Sequence, residues 1–146
     1  MTQVSAAADR FVQLALRRGL SLGVLASSSP ADFAIVLAAA AASIAPSRTY
    51  TEREVNDRLR AWLEGPGAML ATDHVELRRW LVDNALLARD GFGRAYWRTE
   101  PDAEIAEVLA GLADVDLVTL CAQARSRDAD ERARRKARWV ARSQDA

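Results

Sequence analysis

The chain has 146 residues, half of them apolar and 27% charged, which is enough for one well-packed domain and short for two. Its 20 basic and 20 acidic residues cancel, so the molecule as a whole is no polyelectrolyte partner for nucleic acid, and any such binding falls to a local patch. One Cys and one His exclude an intramolecular disulfide, a Cys-rich zinc site and most His-based catalysis.

In chain order, residues 2–18 predict a helix, with Val4, Ala8, Phe11 and Ala15 on one side and Gly19 as the stop. LSLGVLASSS then reads as a connector anchored by its leucines, because Gly and three Ser interrupt any period. Ser29-Pro30 opens a second helix, in which Phe33, Val36, Leu37, Ala40 and Ile44 recur at helical spacing. Its Ala run at 38–42 allows close backbone approach, as expected of a central buried helix. This stretch, FAIVLAAAAASIA, is only 13 residues, well below the ~18 apolar residues of a membrane span. RRGLSLGVLASSSPA mimics a signal peptide only loosely, since an amphipathic segment precedes it. The expectation is a cytoplasmic protein with no membrane partner.

The most informative stretch is Tyr50 to Arg98. Arg48-Thr49-Tyr50 is extended, and Thr51 caps a helix through a T-x-x-E capping box closed by Glu54. Val55, Leu59, Trp62 and Leu63 form its apolar stripe, and GPG at 65–67 ends it. Asp73 opens a further helix through a weaker D-x-x-E box, running to about Leu86. LLARD-GFG-RAYWR then gives two β-prone runs around a Gly-flanked turn. Helix, turn, helix and hairpin in this order suggest a winged helix, with the hairpin as the wing.

After Pro101 a helix over about 102–112 carries acids at its positive end, and a last long helix starts near Val115. Its tail has acid-to-Arg pairs at 128/132, 130/134 and 131/135, and residues 125–142 hold eight basic against three acidic side chains. That tail suits phosphates, a solvated surface, or pairing with the acidic stretch at 100–116 in the same chain or a dimer mate.

Projecting the 73–86 segment at about 100° per residue separates its adjacent arginines. Arg78 falls within the apolar arc, where it needs a carboxylate, and Glu52 on the apolar side of the preceding helix is the candidate partner. Snorkelling of Arg78 to solvent is the alternative. Arg79 points outward beside Glu76, Trp80 and Asp83, a poor phosphate face with a Trp suited to packing or to a protein contact. The wing is more basic, with Arg89, Arg94 and Arg98 against one Asp90 and Tyr96 and Trp97 interleaved. The candidate nucleic-acid contacts are therefore Arg79, Arg89, Arg94, Tyr96 and Arg98. Tyr96 and Trp97 closing the core beneath the sheet is the competing reading. No phosphate-binding Gly loop, metal spacing or nucleophile–base pair occurs, so no enzyme, cofactor or metal is expected.

YTEREVNDRLRAWL together with LRRWLVDNALLARDGFGRAYWR resembles the bacterial domain of unknown function 2087, whose pattern runs close to YTE-x-EVN, LRR-x-LVD-x-x-LL-x-R and a terminal YWR. The resemblance implies a winged-helix-like fold and a role in transcriptional regulation. Members often follow an arsenic-repressor-type DNA-binding domain, whereas the 45 residues before this motif are Ala-rich and too short for a second winged helix. The family implies no catalytic residues. The expectation is a mainly α single domain over 1–146, with a winged-helix-like core at about 30–99 and C-terminal helices at 101–142. Its expected function is a transcriptional regulator contacting double-stranded DNA. The alternative is a protein-interaction or dimerisation module of the same fold.

Overall fold

The computed structural model describes residues 5–145. Within them the chain is mainly helical, with seven helices and one three-stranded antiparallel sheet. Helix α1 (Ala6–Ala15) starts where the Ser5 side chain accepts the Ala8 N–H and buries Ala8, Phe11, Leu14 and Ala15. Val4, assigned to this apolar face, lies outside the described residues.

The expected connector contains a helix, α2 (Leu22–Ser28). Serines that interrupt a hydrophobic period here serve the helix itself. Ser21 caps it by accepting the Val24 N–H, and the Ser27 and Ser28 hydroxyls donate back to the Val24 carbonyl. Leu22 and Leu25, one turn apart, supply the buried side.

Helix α3 (Pro30–Ala42) is the centre of the molecule, packed against α1 and α2 and against two later helices, α5 (His74–Asp83) and α6 (Ala103–Leu112). Val36 to Ala41 are buried without interruption, possible because small side chains let neighbours approach on all sides. Near its start Asp32, the one buried charged residue among those described, receives two 2.9 Å hydrogen bonds from Arg10 of α1. The guanidinium holds the Asp32 carboxyl below its usual range.

Strand β1 (Thr49–Thr51) leads into α4 (Glu52–Glu64), whose capping box is formed as expected: Thr51 accepts the Glu54 N–H and Glu54 accepts the Thr51 N–H, both at 3.1 Å. The long turn after α4 is tightly held. A Cβ at Gly67 would lie 2.3 Å from the Trp62 ring, so only glycine lets the chain cross it there. Leu20 and Leu70 then form an isolated parallel bridge, with the Leu20 N–H on the Met69 carbonyl and the Ala71 N–H on the Leu20 carbonyl.

Helix α5 (His74–Asp83) ends three residues before Leu86, the expected end. Ala85 has φ 59°, its N–H donates to the Val82 carbonyl, and the Leu86 N–H reaches back to the Leu81 carbonyl. This is a Schellman stop built on Ala in place of the usual Gly. Strands β2 (Leu87–Arg89) and β3 (Ala95–Arg98) follow, and the sheet order is β1-β3-β2. Helix α6 (Ala103–Leu112), capped by Asp102, packs on α1 and α3. Helix α7 (Leu117–Gln144), capped by Asp116, packs on α1 through its first turns, with Cys121 and Ala124 buried.

Arg125 of α7 gathers three separate segments. Its guanidinium donates to the carbonyls of Ala15, Gly65 and Pro66 at 3.1, 2.7 and 3.0 Å. These carbonyls lie at the ends of α1 and α4, neither of which has a basic residue in its last turn. One cation therefore serves two negative helix ends.

Two stability effects follow. Replacing Arg125 by Ala leaves three carbonyls without their charged donor and lowers unfolding free energy by about 3 kcal/mol in chemical denaturation, and Lys, lacking the planar fork, recovers less than half of the loss. Replacing Ala85 by Gly removes the left-handed strain and raises stability by about 0.5–1 kcal/mol, read as a Tm increase of about 2–4 °C.

Candidate nucleic-acid interface

The α5 helix and the β2–β3 hairpin form two walls of a groove of about 230 Å³, lined by Arg78, Arg79, Asp83, Arg89 and Tyr96 among others. Strand pairing explains its composition. Arg89 lies opposite Tyr96 in the antiparallel ladder, so both side chains leave the same face of the sheet, toward α5. Helix α5 contributes Arg78 and Arg79 from successive positions at its middle.

Arg78 is committed to structure. Its Nη1 lies 3.3 Å from Glu52 Oε1 and 2.5 Å from Asn56 Oδ1, both on α4, and its guanidinium sits 5.4 Å from the centre of the Tyr96 ring. The side chain is 17% exposed, whereas Glu52 is 52% exposed. The carboxylate pair is thus half in solvent, worth well under 1 kcal/mol on its own, and the Asn56 and Tyr96 contacts contribute the larger share. Together they fix α5 relative to α4 and β3.

Arg79 and Arg89 are both exposed, and neither joins an ion pair or a side-chain hydrogen bond among the described residues. Asp83, at the end of α5, shares their groove, and a neighbouring depression on the outer side of α5 sets Asp73 and Glu76 beside Arg79. Arg94 is exposed near the hairpin tip, 5.7 Å from the ring of Phe92, which is 84% exposed. The tip is held by Asp90, whose Oδ1 accepts the Arg94 N–H at 2.8 Å. That backbone N–H, helped by those of Ala95, Phe92 and Gly93, keeps the Asp90 carboxyl below its usual range.

Two of the expected contacts are taken up inside the molecule. Tyr96 is 2% exposed and belongs to the core under α5, so no base can stack on it. Arg98 donates its Nη1 to the Ile44 carbonyl at 3.0 Å, closing the α3–β1 connection. Strand alternation is the reason: Tyr96 takes the inner face of β3, and its neighbour Trp97, 38% exposed, takes the outer one. Trp80 is not an exposed anchor either; it meets Phe33 of α3 edge-on at 5.2 Å, and its indole N–H reaches Glu76. The groove thus brings together Arg79 and Arg89, with Arg94 beside it at the tip.

Other reactive groups offer no competing centre. No cluster of three or more His, Cys, Asp and Glu side chains able to hold a metal occurs among the described residues. Burial pushes the Cys121 thiol up. Among the described residues no helix is long and apolar enough to cross a membrane.

Because Arg78 holds three elements at once, Arg78→Ala should lower Tm by about 3–6 °C, the equivalent of about 1–2 kcal/mol in a chain of this size. Arg79→Ala, from the adjacent exposed position, should leave Tm within about 1 °C, so thermal melts of the two variants separate the structural arginine from the free one.

No curated protein and no solved structure matches the chain. Residues 27–98 match the family described as "Uncharacterized protein conserved in bacteria (DUF2087)". The matched segment takes in α3, the three strands, α4 and α5, and so both walls of the groove, while α1, α6 and α7 lie outside it. Residues 27–98 thus form a segment of the DUF2087 family.

Proposed function

We propose that residues at about 30–99 form a winged helix and that the chain is a transcriptional regulator contacting double-stranded DNA through its hairpin wing. The order helix, strand, helix, helix, hairpin supports the fold reading, as does the placing of β3 between β1 and β2. In this reading α4 and α5 are the helix–turn–helix pair, β2 and β3 are the wing, and a cytoplasmic location follows from the activity.

The observation that carries the proposal is the pair Arg79 and Arg89, facing one groove without an ion-pair partner among the described residues, with Arg94 at the wing tip. Planar guanidinium groups suit phosphate oxygens, and a phosphate backbone passing between helix and wing engages all three at once. The acids of α5 weigh against close base reading by that helix. The contact is therefore mainly with the backbone, with modest sequence preference.

Fluorescence anisotropy with a duplex oligonucleotide over a range of salt concentrations tests this. The affinity should fall steeply with salt, and Arg89→Ala and Arg94→Ala should each weaken binding and reduce the logarithmic salt slope by about 1. Absence of duplex binding at low salt, or binding unaffected by both substitutions, would overturn the proposal.

A further inference from the structure

Helix α7 is one continuous rod of 28 residues without Gly or Pro, about 42 Å long. Only its beginning rests on the rest of the molecule: from Ala129 to Asp145 every residue is exposed. The face turned to the body repeats at heptad spacing through Leu117, Cys121 and Ala124, and it continues along the projecting arm as Asp128, Glu131, Arg135, Arg138 and Arg142. The seam changes from apolar to charged where it leaves the core. Of the three expected acid–Arg pairs along this helix, only Asp128–Arg132 closes, at 2.9 Å, so Arg134 and Arg135 have no ion-pair partner among the described residues.

Where the arm departs, it overhangs a concave groove of about 600 Å³ lined by Arg17, Arg18, Arg125 and Arg132 against the lone Asp128. The opposite charge lies elsewhere. Glu100, Asp102, Glu104, Glu107, Asp114 and Asp116 on and around α6 are all exposed, and none is in an ion pair among the described residues. The projecting arm cannot fold back onto these carboxylates within one chain. Helix α6 ends beside the start of α7, and a straight helix carries Arg135 about 27 Å away from Leu117.

We infer that the arm and groove of one chain receive the acidic α6 of a second copy. Charge complementarity selects this occupant: a second copy carries the same exposed carboxylates on and around α6, and with a formal net charge of zero two copies approach without net repulsion. A two-fold arrangement satisfies both arms at once, each lying over its partner's α6, and closes without further growth. The contact is mainly electrostatic, so it is sensitive to salt. It involves neither the α5–hairpin groove nor its arginines, and stands apart from the DNA reading.

Sedimentation equilibrium of the full chain across a wide concentration range is the test. At low ionic strength the mass should approach twice 15.9 kDa and return to the monomer value as salt rises. The double variants Arg135→Glu with Arg138→Glu, and Glu104→Arg with Glu107→Arg, should each be monomeric with unchanged circular dichroism, since all four side chains are exposed. An equimolar mixture of the two should regain a dimer, because both arm–α6 contacts are then complementary: the reversed arm lies on the reversed α6, and the unchanged arm on the unchanged α6. A monomeric parent chain at the highest concentration and lowest salt overturns the inference, as does a mixture that stays monomeric. A monomeric chain whose salt-dependent retention on duplex DNA is lost with Arg135→Glu and Arg138→Glu also overturns it, and assigns the arm to nucleic acid.

Discussion

The guanidinium of Arg125 lies where three segments distant in sequence arrive together: the end of α1, the end of α4 and the first half of α7. It donates a hydrogen bond to a backbone carbonyl of each of the first two, at Ala15 and Gly65, and a third at Pro66. Carbonyls at a helix end carry partial negative charge and have no partner within the helix, so a single planar cation can complete two helices together. The turn that it grips also passes over the Trp62 ring at Gly67 and bridges to Leu20, and it delivers the chain to α5. The position of α5, and with it one wall of the arginine groove, thus depends on a residue from a helix outside the family segment. Arg78 performs the corresponding task at the other wall, tying α5 to α4 and β3.

The basic residues therefore divide between two kinds of work. Arg10, Arg78, Arg98 and Arg125 are spent on carboxylates, amides and carbonyls of the chain itself. Arg79, Arg89 and Arg94, together with the arm, remain available to something else. A neutral overall charge conceals this division. The sum of the residues has little bearing on binding here, and the geometry of the unpaired ones decides it.

The sequence carries the local part of this organisation clearly and the non-local part poorly. The caps Thr51 and Asp73 mark helix starts because each signal lies within three residues of the group it satisfies, whereas Ser5 and Asp116 cap helices that the apolar pattern starts too early. The hairpin is legible from Gly and β-prone runs. Helix α2 escapes notice because its serines resemble a loop, and the end of α5 is overrun because Ala85 favours helix while occupying a left-handed position. The Arg78–Glu52 contact is legible because two helical projections place both residues on facing sides. The burial of Tyr96 is not, since strand alternation gives two faces and only the packing of α5 selects one. Arg125 is least visible of all: its acceptors are backbone atoms, which carry no sequence identity.

The continuity of α7 has a consequence for how the molecule opens with time. All of its turns are closed by the same backbone hydrogen bonds, but burial supports only the first few. Amide protons near Cys121 and Ala124 exchange with solvent only when α1 and α7 separate, an event that approaches global unfolding. Those beyond Ala129 exchange through local fraying, in which only helix propensity and one side-chain pair resist. One helix therefore keeps two clocks, and a ligand that covers the arm brings the faster one toward the slower.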